Sequence, residues 1–481
     1  MGKAIMIQGT SSGVGKSLIT MALCRHFVRK GLKVAPFKSQ NMSLNSAVSV
    51  EGGEMARSQY VQAIASNTYP SVKMNPILIK PENKSSQIIL LGKVYDRVKA
   101  KDYMNSTKSN LFEITIDSLK ELLALNDIVI IEGAGSPAEI NLKDKDIVNM
   151  KIAKAVSCPV ILVSDIERGG AFAQVAGTME LLEKDEKRLI AGYIFNKFIG
   201  DPSLLEDYPQ RLAKRYKMRF FGTMPYVHHK IPQEDSMIEW NKEGHGDVEV
   251  DIIKLPHISN FDDFDPLFWN AKARYVENGK LNADVIILPG TKTTLEDLKW
   301  LVNSGLADEI KRAQKRGAFI VGICGGYQML GEEIEDPISG ENERGLSILP
   351  VRTTIERDKR VSNLKGKTDL FGETVLIGYE IHHGTTHYTA NVKQFLTVNE
   401  VNGKKINYIS GAVRGNVFGT YLHGLFGNFR FTENFLNAVR KKKGLEPRSI
   451  NSNSLIEEID SFTDLFELNV DVKAIEEVVD I

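Results

Sequence analysis

The chain has 481 residues, 42% of them hydrophobic, enough for two or three domains with packed cores. Lys plus Arg and Asp plus Glu number 61 each, for a formal net charge of +0, so charge gives no reason to expect nucleic acid or an anionic membrane as partner. Three widely spaced cysteines exclude a disulfide scaffold or a zinc ribbon and suit a reducing compartment, and no apolar run approaches the length of a membrane span.

The N-terminus reads as a strand and a glycine loop rather than a signal peptide, so a soluble cytoplasmic protein is expected. Lys3 to Gln8 is the first strand of an α/β domain. It opens onto Gly9-Thr10-Ser11-Ser12-Gly13-Val14-Gly15-Lys16-Ser17 and an apolar helix from Leu18 to Phe27. This is a phosphate loop: backbone N–H groups of Gly13, Val14 and Gly15 wrap phosphates, and the helix N-terminus adds positive potential. Lys16 is placed to reach the β/γ-phosphates of ATP, and the Ser17 hydroxyl to ligate Mg²⁺. The strict spacing is missed by one, because Thr10 takes the first glycine position and Gly9 precedes it. The pattern resembles dethiobiotin synthetase-like ATPases. Related partition ATPases usually carry a second lysine where Ser11 stands.

Leu32 to Lys38 is the second strand and runs into the polar stretch Ser39 to Ser46, at the end of the strand where α/β sheets bind ligands. Gly52-Gly53-Glu54-Met55 is read as the opening of a helix. Glu54 there is either a magnesium ligand, as the resemblance to this ATPase branch implies, or a solvated partner of the helix dipole. Asp127 to Ile131 is a buried strand ending in Glu132, and an acid at that place can bind Mg²⁺ directly or through water. Pro159 to Val163 and Leu189 to Phe195 continue the sheet, and Phe221 to Tyr226 ends the domain. Asn196 follows the penultimate strand. In related folds this position touches the nucleotide base, so it is carried over as a nucleotide-binding residue.

Residues 228–247 are polar, with Pro232, Gly244 and Gly246, and read as a linker. Val248 to Leu255 opens a second α/β unit and ends in the acidic loop His257 to Pro266. That loop either faces an acceptor site or caps a helix. Asp284 to Leu288, Ala318 to Ile323, Ile348 to Thr353, Val375 to Ile381 and Asn416 to Tyr421 supply further strands. Gly322-Ile323-Cys324-Gly325-Gly326 lies between a buried strand and a helix. The G-x-C-x-G pattern is the thiol counterpart of the hydrolase elbow, where the turn lifts the side chain above the sheet. The helix behind Cys324 is expected to favour its thiolate. Cys24 and Cys158 read as buried structural thiols. A nucleophile needs a base. His423, in Gly419-Thr420-Tyr421-Leu422-His423-Gly424, competes for that role with His382 and His383, and spacing does not decide between them. A helix from Thr432 to Lys443 closes the unit, and residues 445–481 form an acidic, amphipathic helical tail.

Gly-Ile-Cys-Gly-Gly-Tyr-Gln-Met-Leu-Gly from Gly322, with Gly-Thr-Tyr-Leu-His-Gly-Leu-Phe from Gly419 and Gly-Tyr-Glu-Ile-His from Gly378, resembles the class I glutamine amidotransferase domain of the cobyric acid synthase type. The resemblance implies Cys324 as nucleophile on the glutamine amide and His423 as its base. Leu288-Pro289-Gly290-Thr291 resembles the family's oxyanion loop, with backbone N–H groups near Gly290 and Gly325 facing the oxyanion. Most class I glutaminases carry a glutamate two residues after the histidine. This chain has Leu425, so the group that orients His423 is unassigned.

The expected architecture is α/β throughout: a P-loop ATPase domain of dethiobiotin synthetase-like type at 1–227, a linker at 228–247, a class I glutamine amidotransferase-like domain at 248–444 and the tail at 445–481. ATP would activate a carboxylate, and ammonia from glutamine would convert it to an amide, the two sites needing a shared interface that keeps the ammonia from water. The family resemblance implies a corrin substrate, with four peripheral carboxylates of adenosylcobyrinic acid a,c-diamide amidated on the way to cobalamin. Two alternatives stand beside it: cobyrinic acid a,c-diamide synthesis, and a P-loop switch ATPase with an inactive glutaminase domain.

Overall fold

The computed structural model describes residues 2–81, 85–98, 108–232, 240–452 and 454–481. Residues 233–239 of the expected linker lie outside these. The chain divides into two compact units that are not contiguous in sequence. One comprises Met1–Ser43, Met55–Met237 and Asn453–Ile481, the other Leu44–Glu54 and Ile238–Ser452.

In the first unit six parallel strands run in the order Arg219–Pro225, Ile190–Phe198, Val160–Asp165, Lys3–Gly9, Ile128–Glu132, Val34–Phe37. Ile128–Glu132 and Val160–Asp165 are buried along their whole length, as expected of a parallel sheet covered on both faces. Two apolar clusters form those faces. One contains the helix Lys16–Arg29, which begins where the phosphate loop ends. A smaller sheet of Gln40–Met42, Ile77–Pro81, Ser86–Leu90 and Lys93–Val98 lies beside this core.

The acidic tail is part of this unit. It forms two helices, Leu455–Asn469 and Val472–Val478. Ser454 and Glu457 make a reciprocal capping box at the start of the first, which satisfies backbone donors the first turn cannot. Ile459, Phe462, Phe466, Val470, Ile475 and Val479 join the same cluster as Ile5, Ile7 and Phe27. The polar edges match as well. Arg25 grips Asp460 through two bonds of 2.7 and 2.9 Å, Arg29 reaches Asp464 at 2.7 Å, and His26 lies between Glu467 and Glu476 at 2.9 and 3.0 Å.

The second unit is built on strands in the order Lys272–Val276, Glu249–Ile253, Val285–Leu288, Phe319–Ile323, Val417–Thr420, Ala412–Arg414. All neighbours are parallel except the last pair. A second sheet is dominated by the long antiparallel hairpin Val351–Thr368 and Thr374–Tyr388. Three adjacent strands fix the site. Leu288 pairs with Gly322, and Ile323 with Thr420, so the loops that follow Leu288, Ile323 and Thr420 leave the same end of the sheet side by side.

Glu54 differs from the helical expectation. It lies on the short strand Glu54–Ala56, paired with Ser46–Val48, and the helix begins only at Arg57. Its carboxylate is 1% exposed. Lys359 forms an ion pair with it, and Ser46 Oγ donates to it at 2.9 Å. Burial with a cationic partner, not helix polarity, sets its surroundings.

Candidate active site

Cys324 sits at a sharp turn between the strand Phe319–Ile323 and the six-residue helix Gly325–Leu330. Its φ is 51° and ψ −110°, a left-handed backbone that strains a residue with a Cβ by about 1–3 kcal/mol and is typical of functional turns. The neighbouring glycines are required by space. A Cβ on Gly326 would lie 2.0 Å from the Leu288 carbonyl oxygen, and one on Gly322 would strike Leu330 and the Gly326 carbonyl. The thiol is buried and lies 3.5 Å from the Ile381 carbonyl oxygen.

His423, 1% exposed, flanks Gly290 together with Cys324. Its Nδ1 is 2.6 Å from Asp263 Oδ2, and the Gly424 N–H donates to Asp263 Oδ1 at 2.8 Å. The Tyr379 ring stacks on the imidazole, centroids 5.3 Å apart and planes within 16°. Burial opposes a charge on this imidazole. The Asp263 carboxylate and the Cys324 sulfur more than offset it and push the pKa up from 6.5 to about 10, so the ring stays protonated at neutral pH.

The competing histidines are engaged elsewhere. His382 stacks on Tyr421 at 3.7 Å, with Nδ1 3.0 Å from the Gly384 carbonyl oxygen. His383 Nδ1 is 3.2 Å from the Glu356 carbonyl oxygen. Gly290 borders both reactive groups: a Cβ there would lie 3.0 Å from His423 Cε1 and 3.6 Å from Cys324 Cβ. A Cβ on Gly325 would lie 3.3 Å from the Thr291 backbone nitrogen, so the two glycine loops face each other beside the thiol. Asp297 fixes the Gly290 loop. It is fully buried, accepts from Thr291 Oγ1 and lies 2.7 Å from His257 Nδ1.

The other unit gathers a second set. Gly13 and Gly15 have φ of 72° and 94°, a backbone that favours glycine. Lys16 Nζ donates to the carbonyl oxygens of Ser11 and Gly135 at 3.0 and 3.3 Å. Ser17 Oγ donates to Glu132 Oε1 at 2.8 Å. Glu132 is 1% exposed and also accepts from Lys38 at 2.6 Å, Gln62 at 2.6 Å and Gln59 at 3.2 Å. Asn196 is placed against the loop itself. Its Nδ2 donates to the Val14 carbonyl oxygen at 2.8 Å and lies where a Cβ on Gly15 would be. Lys197 braces the loop from the Gly13 carbonyl at 2.8 Å and pairs with Asp165 at 3.1 Å. A cavity of ≈ 280 Å³ opens beside Gly135 and Ser136. Glu139, Asp146 and Glu186 line it with Lys143, which Glu183 and Glu186 already pair, so its walls do not by themselves attract an anion.

Sequence reasoning did not single out Asp263, Lys38, Gln59 or Gln62. Asp263 lies in the acidic loop, whose target was left open between two possibilities. Gln59 and Gln62 are three residues apart on the helix Arg57–Ala65, a spacing that puts both on one face, and that was the available signal. Cys24 and Cys158 are buried, and burial pushes both thiols up to about 12.

Fold and geometry together define a class: a P-loop nucleotide-binding unit joined in one chain to a glutamine amidotransferase unit. Residues 5–239 match the CobQ/CobB/MinD/ParA nucleotide binding domain, and residues 249–431 the CobB/CobQ-like glutamine amidotransferase domain. Over 99% of both chains the protein is 51% identical to the "Probable cobyric acid synthase" of Thermococcus kodakarensis. It is 47% identical to the cobyric acid synthase of Caldanaerobacter subterraneus subsp. tengcongensis, over 93% of this chain and 92% of that one. It is 42% identical to that of Clostridium novyi, over 99% of this chain and 98% of the other. The chain belongs to the cobyric acid synthase family. Among the described residues no helix is long and apolar enough to cross a membrane.

Proposed function

We propose that the protein is a cytoplasmic, glutamine-hydrolysing carbon–nitrogen ligase that uses ATP to amidate four peripheral carboxylates of adenosylcobyrinic acid a,c-diamide, giving adenosylcobyric acid in cobalamin biosynthesis. The observation that carries this reading is the coexistence, in one chain related over its full length to cobyric acid synthases, of a phosphate loop with its acid and a strained thiol paired with an imidazole.

In the glutaminase half, the Cys324 sulfur attacks the side-chain amide carbon of glutamine. The oxygen that becomes negative is met by backbone N–H groups of Gly290 and Gly325. His423, already an imidazolium, gives its proton to the departing nitrogen, and ammonia leaves a glutamyl thioester. The neutral imidazole then takes a proton from water as it attacks the thioester, releasing glutamate and restoring the thiolate–imidazolium pair from which the cycle began.

In the other half, Gly13, Val14 and Gly15 wrap the phosphates, Lys16 neutralises charge on the transferring phosphoryl group, and Asn196 holds the loop in shape. The acceptor carboxylate takes the γ-phosphoryl group, and ammonia then displaces phosphate to form the amide. Ser17 and Glu132 are adjacent oxygen donors of the kind Mg²⁺ prefers and would hold the ion. When bound, it would screen phosphate charge. Glu54, which belongs to the other unit and pairs with Lys359, is a candidate metal ligand on the family resemblance alone.

Mass spectrometry of the corrin after incubation with ATP, Mg²⁺ and glutamine tests the reading. Four added amides on the a,c-diamide are expected. Amidation of cobyrinic acid at its a and c positions instead would overturn the assignment, and so would glutamine hydrolysis with no amide on any corrin.

A further inference from the structure

The residue that most class I glutaminases use to orient their histidine is absent here, because Leu425 stands at that position and is packed in the hydrophobic core at 1% exposure. We propose that Asp263 replaces it as a positioning residue, supplied from the opposite side of the sequence, 160 residues before the histidine. The proposal rests on the reading of Cys324 and His423 as the glutaminase pair.

The geometry is that of a fixed clamp. One carboxylate oxygen takes the His423 Nδ1–H at 2.6 Å and the other takes the Gly424 N–H at 2.8 Å. Two bonds to successive residues set both the position and the plane of the carboxylate. With Nδ1 committed to Asp263, the other ring nitrogen is the one left for Cys324. Tyr379 covers one face of the ring, and Asn260, three residues before Asp263, donates to the Tyr379 hydroxyl at 3.2 Å. The loop that delivers the acid thus also holds the ring that stacks on the base. Asp263 is itself 6% exposed and sits on the 3-10 turn Phe261–Phe264, buried among groups that leave its carboxylate little freedom to turn away.

The groups that face His423 are Asp263, Cys324 and the Tyr379 ring. Removing the Asp263 charge leaves burial to disfavour the imidazolium, so the His423 pKa falls. An uncharged imidazole no longer places a positive charge beside the Cys324 sulfur.

The test uses the full-length enzyme carrying Asp263→Asn, with Asp262→Asn as a neighbouring control and Asp263→Glu as the conservative variant. Glutamine-dependent kcat should fall roughly 10²- to 10⁴-fold in Asp263→Asn, the range associated with general acid–base groups, with the KM for glutamine nearly unchanged. Asp263→Glu should recover part of that rate, and Asp262→Asn should keep it. The alkaline limb of the glutaminase profile should move to lower pH in Asp263→Asn. A second measurement needs no turnover: iodoacetamide alkylation of Cys324, followed by mass spectrometry of its peptide. Cys24 and Cys158, whose thiols burial pushes up to about 12, do not compete. Near pH 7 alkylation should be fast in the natural protein and slowed at least tenfold in Asp263→Asn. An unchanged pH profile and alkylation rate in a folded Asp263→Asn would overturn the proposal, and so would an equal loss in Asp262→Asn. Normal glutamine use by Cys324→Ala would instead overturn the underlying glutaminase reading, whatever Asp263 does. If Asp263→Asn does not fold, Asp263→Glu decides through the same alkylation profile: a profile displaced toward that of the protein with His423→Ala supports the positioning role, and one identical to the natural protein's refutes it.

Discussion

The two reactive centres satisfy their charges in opposite ways. In the amidotransferase unit the acid holds the imidazole by a hydrogen bond, and the imidazole and the thiol flank the same glycine, in the order the proposed reaction needs. In the nucleotide unit the functional groups bond to one another. Lys16 donates to carbonyls of its own loop and the next, and Glu132 collects Ser17, Lys38, Gln59 and Gln62. On the proposed reading, a small neutral amide would react at the first without rearranging charge, and phosphates and a divalent ion would have to exchange bonds in the second. The glutaminase centre has its acid and imidazole already aligned, whereas the groups of the nucleotide centre are engaged with one another.

The largest effect expected is that of Lys16→Ala, which should abolish amidation from glutamine and from ammonium chloride alike, because both donors wait on the same activated carboxylate. Amidation at the natural rate with either donor would show the loop to be misread. Cys324→Ala should divide the donors: glutamine-dependent amidation lost, ammonium-dependent amidation kept and rising with pH as free NH₃ increases. Loss of both in a folded protein would mean that the two centres are coupled more tightly than ammonia transfer requires.

Glu132→Gln should act on two readouts. It removes the charge that pairs buried Lys38, a change of the kind that costs about 3–5 kcal/mol, and it should raise the Mg²⁺ needed for half-maximal turnover roughly tenfold by weakening an oxygen ligand. Thermal unfolding with a metal titration reads both. Glu54→Gln should raise the metal requirement less, since Lys359 already engages that carboxylate. An unchanged requirement in either variant would return that acid to a structural role.

A smaller effect concerns pH. The pKa of His423 in the folded protein is raised to about 10 from 6.5. Its contribution to stability is therefore complete below about pH 6.5 and is lost as pH rises through about 10. Melting temperature measured from pH 7 to 10.5 should fall more steeply in the natural protein than in Asp263→Asn. The smallest effect is at the tail. Arg29→Ala removes a partly exposed contact to Asp460, Asp464 and Glu467 and should cost about 0.5–1 kcal/mol, less at high salt.

The same contrast explains what could be read from residues alone. The phosphate loop and the Cys324 turn announce themselves because a few consecutive residues do the work, glycines included. Asp263 does not, since its role depends on a strand order that brings two distant loops to one end of a sheet. Glu54 was misplaced for a related reason. Glycines followed by a polar residue resemble a helix start, but pairing with Ser46–Val48 overrides that local preference. The apolar stripe of the tail was legible as a docked helix, while the surface receiving it, the helix Lys16–Arg29, was not, because nothing local encodes a partner more than 400 positions away.

That arrangement bears on how the protein is made. A ribosome working at roughly 5–20 residues per second produces the helix that follows the phosphate loop 435 positions before the tail residues that pair with it, Arg25 with Asp460 and Arg29 with Asp464. During that interval Ile5, Ile7 and Phe27 lack the side chains of Phe462, Phe466 and Ile475 that share their cluster. The nucleotide unit is thus begun before the amidotransferase unit and completed after it, and a nascent chain stalled before residue 454 would present an unfinished apolar face to chaperones.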